Sequence, residues 1–167
     1  MRSLIVSVAL LASLVAFSAR ADETIAANIT KGHWNLGGSL QALSSGGGDV
    51  LFQVAPTGQY FVVDNFSAGA MIDYVWDNQG TFDSQYKMGP IVTYYIPVGS
   101  SSAANVGAYY LFASHDVRSL GLFVGYSYFI LPSVSFGPQF TYVSNYVPNI
   151  SSNDNFGQLI FQFGIYL

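Results

Sequence analysis

The chain has 167 residues, of which 51% are hydrophobic and only 8% are charged, and its formal net charge is −4. Ordinary globular domains carry about 25% charged residues, and so few basic residues argue against nucleic acid, which proteins bind through basic patches. The chain contains no cysteine, so disulfides, thiolate metal sites and a thiol nucleophile are all excluded.

The first 21 residues have the pattern of a secretory signal peptide. Arg2 precedes an apolar run from about Leu4 to Phe17, and a small-x-small cleavage site follows at residues 19–21. The apolar run is shorter than the roughly 20 residues that a spanning helix needs. We therefore predict cleavage after Ala21, export from the cytoplasm, and an N-terminal periplasmic segment over residues 22–30.

Eight segments with a strict two-residue alternation of apolar and polar side chains follow. The polar face is rich in Gln, Ser, Thr, Asn and Gly and carries almost no charge, unlike the surface of a soluble barrel. In lipid, only helices and closed barrels satisfy every backbone hydrogen bond, and no later apolar run is long enough for a spanning helix. Residues 31–167 therefore predict an all-β, eight-stranded antiparallel up-and-down transmembrane β-barrel with its apolar face outward. The predicted strands are residues 31–43, 49–62, 66–77, 85–96, 104–113, 119–130, 133–143 and 156–167.

The other face should fill the lumen, because the interior of an eight-stranded barrel is only wide enough for side chains. Among the larger inward residues, two carry charges deep in the strands, Asp73 and Lys87. If Gly80 centres the turn between their strands, the two residues lie directly opposite each other, and we predict a lumen charge pair. The predicted polar lumen residues are His33, Gln41, Gln53, Tyr109, Gln139, Gln158 and Gln162. The glycines on this face are Gly37, Gly69, Gly89, Gly107, Gly121, Gly125, Gly137 and Gly164.

The connections and aromatic residues define two ends. The short connectors at residues 63–65, 97–102 and 131–133 lie at the same end of the barrel as the N-terminus, and we place this end in the periplasm. The remaining connectors are then predicted to lie outside the cell. Aromatic girdles are predicted at both ends, with Trp34 and Tyr166 at the periplasmic end and Trp76 at the outer end. Three prolines interrupt strand patterns on the outward face, where we expect bulges or bends. They are Pro56, Pro90 and Pro138.

Three stretches resemble the porin-like outer-membrane β-barrel domain family of Gram-negative bacteria: VAPTGQYFVVDNFSAGAMIDY, MGPIVTYYIPVG and GLFVGYSYFILPSVSFGPQFTY. The resemblance covers residues 31–167, although Gln59 stands where Gly usually precedes Tyr60. The terminal FQFGIYL resembles a barrel-assembly signal, with Leu167 in place of the usual aromatic residue. The resemblance implies a small eight-stranded barrel in the cell outer membrane, in contact with lipid and lipopolysaccharide. It also implies recognition of Phe161 to Leu167 by the barrel-assembly machinery, and we expect a monomer.

Three functions stay open: a structural or interaction barrel, which the residues favour, a small porin-like pore for ions or small solutes, and a lipid A-modifying enzyme. The lumen glutamines argue against a pore. Ser114, His115 and Asp116 are the candidate catalytic group, but adjacent residues do not readily form a relay. We therefore predict no enzyme activity, no catalytic residue, no cofactor and no metal site. Aspartates at the outer end form either a solvated face or a site that bridges cations to lipopolysaccharide phosphates: Asp49, Asp77, Asp83, Asp116 and Asp154.

Overall fold

The computed structural model describes residues 29–46, 49–77, 85–113, 117–146 and 154–167. These residues form one closed antiparallel barrel in which each strand pairs with the next and β8 returns to β1. The predicted fold class is confirmed. The predicted signal peptide and residues 22–28 lie outside the described residues, and no described helix is long and apolar enough to cross a membrane. The strands are β1 (Trp34–Gly46), β2 (Asp49–Val63), β3 (Phe66–Asp77), β4 (Gln85–Pro97), β5 (Ser102–Ala113), β6 (Arg118–Leu131), β7 (Val134–Tyr146) and β8 (Asp154–Tyr166).

The two-residue alternation of the sequence becomes an alternation of exposure. In β6, Leu122 and Tyr128 point outward and are exposed, whereas Phe123 and Ser127 are buried inside the barrel. Successive side chains of a strand point to opposite faces of a sheet, so the outward face collects large apolar residues on all eight strands. An exposed apolar surface of this extent is typical of a barrel wall that faces lipid.

The two ends of the barrel differ in their connections. The turn end carries residues 29–33, Leu167 and the short turns at residues 64–65, 98–101 and 132–133, and the opposite strand ends lie at the loop end. Trp34 lies at the turn end with its ring centroid 5.2 Å from that of Tyr60. Towards the loop end, Trp76 stacks on Phe52 and Tyr74. Tyr166 is not in a girdle, because its side chain points inward and is buried.

The chain crosses the turn end before β1 begins. Ile29 is fully buried inside the barrel, and its carbonyl oxygen accepts a hydrogen bond from the Asn65 nitrogen at 2.7 Å. The predicted first strand began at Lys31, but residues 29–33 turn over this opening, and β1 starts at Trp34. His33 is therefore not in a strand, and its Nδ1 lies 3.1 Å from the Thr30 hydroxyl.

The expectation of bulges at the strand prolines is wrong. The register shifts lie elsewhere, at Ser44/Gly46, Phe61/Val63 and Phe129/Leu131. A residue of an antiparallel strand directs its N–H and C=O groups to the same neighbour, so proline loses a donor on one side only. Each proline stays in register with the neighbour on its other side, and the ladder that it interrupts resumes without a shift. The three pairs that persist are Pro56 with Gly38, Pro90 with Ala70 and Pro138 with Phe161.

Candidate functional site

The turn end of the lumen is filled by an apolar cluster. The Phe129 and Phe61 rings lie 5.1 and 6.3 Å from that of Tyr166 between centroids, and Tyr95 lies 5.5 Å from Phe61. Aromatic rings at these separations attract each other beyond the burial of their area. We call this group the turn-end cluster: Ile29, Phe61, Tyr95, Ala103, Phe129 and Tyr166.

A second apolar group, the middle cluster, fills the centre of the lumen and depends on two glycines. Tyr109 faces Gly121 and Phe123 faces Gly107 across the β5–β6 ladder. A Cβ atom at Gly121 would lie 2.0 Å from Cζ of Tyr109, and one at Gly107 would lie 2.3 Å from Cζ of Phe123. Each ring therefore occupies the space of the side chain that its glycine lacks. The members are Ala55, Met71, Ile91, Tyr109, Leu111 and Phe123.

Hydroxyl and amide groups pair with each other between the two clusters. Oε1 of Gln59 accepts hydrogen bonds from the Ser67 and Thr93 hydroxyls at 2.9 and 2.8 Å. Nδ2 of Asn35 donates to the Tyr95 hydroxyl at 2.8 Å. The Gln59 amide thus supplies the acceptor for two buried hydroxyls. Such bonds remove most of the cost of burying polar groups in a narrow interior.

The two charged lumen residues lie opposite each other, as the turn centred on Gly80 predicts. Asp73 is the register partner of Lys87 in the β3–β4 ladder, and the two charges are close enough to interact. Their hydrogen bonds nevertheless go to other side chains. Nε2 of Gln53 donates to Asp73 at 2.7 Å, and Nζ of Lys87 donates to the Ser119 hydroxyl at 3.1 Å. The charges therefore form part of a wider polar layer rather than an isolated pair.

A small cavity lies inside the barrel. A cavity of about 50 Å³ separates an amide-rich wall on β1, β2, β7 and β8 from the rings of Tyr109 and Phe123. This volume matches a few water molecules. Of the predicted polar lumen residues, five line this cavity: Gln53, Tyr109, Gln139, Gln158 and Gln162. Gln41 faces Gln53 in the β1–β2 register, whereas His33 lies in the preceding turn.

The predicted polar lumen is a mixed one, because two apolar clusters occupy much of it. The missed signal lies in β6, where Phe123 and Phe129 fall on the same phase as Ser119 and Ser127. Alternation assigns a side chain to the inside but does not say what it packs against. Gly107 and Gly121, which stand opposite Phe123 and Tyr109, complete the signal because they leave the space that these two rings occupy.

The candidate catalytic residues Ser114, His115 and Asp116 lie outside the described residues, as does Asp83. Within the described ranges, no group of three or more His, Cys, Asp or Glu side chains could hold a metal ion. The side-chain chemistry that the structure does describe is hydrogen bonding and packing within the lumen.

No model of a known protein family matches the chain. No curated protein matches it either. Among solved structures, the chain is similar to Neisserial surface protein A (NspA), at 17% identity over 80% of this chain and 94% of that chain, with a TM-score of 0.57. It is also similar to a designed transmembrane β-barrel, at 13% identity over 83% and 98% of the two chains, with a TM-score of 0.52. A second designed barrel, TMB2.3, has 12% identity over 82% and 94%, also with a TM-score of 0.52. These similarities show a shared eight-stranded barrel fold.

Proposed function

We propose that this protein is an integral β-barrel of the bacterial outer membrane with a structural or interaction role and a lumen closed to ions. The observation that carries the proposal is the packed interior, in which two apolar clusters and hydrogen-bonded polar side chains surround a cavity of about 50 Å³. The outward apolar face of every strand supports a position in lipid. The similarity to the Neisserial surface protein supports the outer membrane as the location.

In this proposal residues 1–21 direct export, the turn end faces the periplasm and the loop end faces outward. The barrel is a monomer in contact with lipid and lipopolysaccharide. Phe161 to Leu167, which form the end of β8 and the C-terminus, are the segment that the assembly machinery recognises. The alternation in this segment places Phe161, Phe163 and Ile165 on the lipid face, where they are accessible before insertion.

Ion conductance in a planar bilayer tests the closed lumen. We expect purified protein to give no steady current, because the turn-end cluster and the middle cluster fill much of the narrow lumen. A large porin incorporated in the same way serves as the positive control. Steady channel currents would contradict the proposal and favour the small pore. Location is measured separately, since the folded protein should fractionate with outer membranes and migrate differently on a gel before and after boiling.

A lipid-modifying role can be tested at the loop that holds the candidate catalytic group. We expect His115→Ala to leave the lipid A profile of the producing cells unchanged, because three residues adjacent in sequence, Ser114, His115 and Asp116, do not readily form a relay. Mass spectrometry of extracted lipid A is the measurement. A modification that depends on the wild-type protein and disappears with His115→Ala would establish the enzymatic alternative.

A further inference from the structure

The seam between β1 and β8 is hydrogen-bonded over only half of its length. The two strands pair from Asn35 to Leu40, opposite Tyr166 to Phe161, and the pairing stops there. Beyond this point β1 stays paired with β2 as far as Gly46. Likewise β8 stays paired with β7 as far as Asp154. In this described part of the chain, residues 41–46 and residues 154–160 therefore have a partner strand on one side only.

Side-chain exposure marks the same place independently. Phe161, Leu40 and Leu159 are 66%, 65% and 64% exposed, the highest values among the large apolar side chains of the described strands. Side chains on neighbouring strands normally cover one another, and Leu40 and Phe161 stand at the last paired position of the seam, where this cover ends.

The backbone groups of an unpaired strand edge determine what the edge can bind. Along residues 41–46, alternate backbone N–H and C=O groups point into the seam at the spacing of an extended chain. Lipid tails can neither donate nor accept hydrogen bonds, and unpaired backbone groups are costly at membrane depth. An extended polypeptide matches the whole row, because its own donors and acceptors alternate at the same spacing.

We propose that the β1 edge, residues 41–46, is a docking site that binds an extended polypeptide segment of a partner protein as an added strand. The β1 edge has the sequence Gln-Ala-Leu-Ser-Ser-Gly, which carries no charge and only one large apolar residue. The facing β8 edge carries Asp154 and the larger Phe156, so β1 offers the easier approach for a backbone. The proposal names a partner class for the interaction role proposed above and rests on that role.

A second copy of the barrel does not fit this site. Strands of a membrane barrel tilt by roughly 35–45°. Consider two copies in the same membrane orientation, related by a two-fold axis along the membrane normal. Their β1 strands would both run towards the loop end but would tilt in opposite directions. The two edges would cross instead of pairing along their length. A separate extended segment has no such constraint.

Paired cysteines test whether the seam is open, and the absence of native cysteine makes the experiment clean. Ala42→Cys with Leu159→Cys probes the open half, where continuing the register would place these residues opposite each other. Leu40→Cys with Phe161→Cys is the matched control at the last paired position, and all four residues face outward. A disulfide requires Cα atoms about 4.4–6.8 Å apart, which paired positions satisfy.

We expect mild oxidation of the folded barrel in detergent micelles to link the control pair at least about tenfold faster than the test pair. Amide hydrogen exchange gives a second measurement, in which seam-facing amides of residues 41–46 should exchange faster than those of residues 35–40. Equal rates of disulfide formation together with equal exchange protection would show a closed seam and overturn the proposal.

Binding is tested with a synthetic peptide that copies residues 154–160, DNFGQLI, the sequence that the β1 edge would face in a closed seam. The control is the same peptide with alternate backbone nitrogens methylated, which removes the donors but keeps the side chains. We expect saturable binding by fluorescence anisotropy, slower exchange of residues 41–46, and binding at least about tenfold weaker for the methylated peptide. Equal binding of both peptides, or no saturation at millimolar concentration, would overturn the proposal. Neither result affects the closed lumen, which the conductance measurement tests alone.

Discussion

A methyl group added at Gly121 should destabilise the barrel by displacing a ring of the middle cluster. The Cβ atom of alanine at this position would lie 2.0, 2.4 and 2.5 Å from three carbon atoms of the Tyr109 ring. Real Cβ atoms do not approach other atoms this closely, so the ring must move. Met71, Leu111 and Phe123 occupy the same buried cluster, and the displaced ring would press against them.

The size of the effect follows from two opposing contributions. Overpacking a filled core costs about 1–3 kcal/mol, whereas replacing glycine by alanine restricts the unfolded chain and returns about 0.4–1 kcal/mol. We therefore expect Gly121→Ala to lower the free energy of unfolding by about 1–2 kcal/mol. Gly58→Ala is the matched control, because a Cβ there meets only Cδ2 of Leu36 at 3.8 Å. That variant should be as stable as the wild type or slightly more stable.

The measurement is urea unfolding of the barrel in lipid vesicles, followed by the fluorescence of Trp34 and Trp76. Gly121→Ala should also be measured in a Tyr109→Ala background, where the ring is gone and the added methyl should cost little. The reasoning would be refuted if Gly121→Ala matched Gly58→Ala. It would be refuted equally if the cost of Gly121→Ala stayed the same without the ring.

Two further variants test the ends of the lumen by the same unfolding measurement. Lys87→Met should lower the free energy of unfolding by about 1–3 kcal/mol, because it leaves the buried Asp73 carboxylate without its opposite charge. Adding Asp73→Asn should recover most of that loss. If Lys87→Met costs the same in the wild type and in the Asp73→Asn background, the two charges do not interact. Ile29→Ala should lower the free energy of unfolding by about 2–5 kcal/mol, because it opens a cavity in the turn-end cluster. Lys31→Ala, at an exposed position two residues further on, is the control and should leave that free energy almost unchanged. Similar values for the two variants would mean that the segment before β1 does not stabilise the barrel.

The outward-facing residues could be predicted from the sequence because contact with lipid requires an apolar side chain at each of these positions. Leu120, Leu122 and Tyr128 need only be apolar, and a simple alternation records this. The register between β3 and β4 was also predictable, since a turn centred on one glycine fixes which residues face each other. Asp73 indeed lies opposite Lys87.

The inside could not be predicted to the same depth, because lumen residues are selected by mutual fit. Phe123 is possible only because Gly107 stands opposite it, and periodicity within one strand does not contain this relation. The hydrogen bond of Lys87 goes to Ser119, which lies two strands away on β6. A narrow barrel brings together side chains from strands that are not neighbours, so a turn-based register predicts the opposed residues but not the bonds that they form.

The filled lumen and the open half-seam are two consequences of one physical situation. In the membrane, outward side chains contact lipid that is as apolar as they are, so they contribute little to holding one strand against the next. Cohesion must come from the backbone ladder and from packing inside the lumen. Where the clusters fill the interior, around Tyr95 and Tyr109, the ladders are nearly complete. Along residues 41–46 the ladder between β1 and β8 has ended. The barrel is thus held by the fewest ladder bonds along residues 41–46, which is also where an added strand would contribute most.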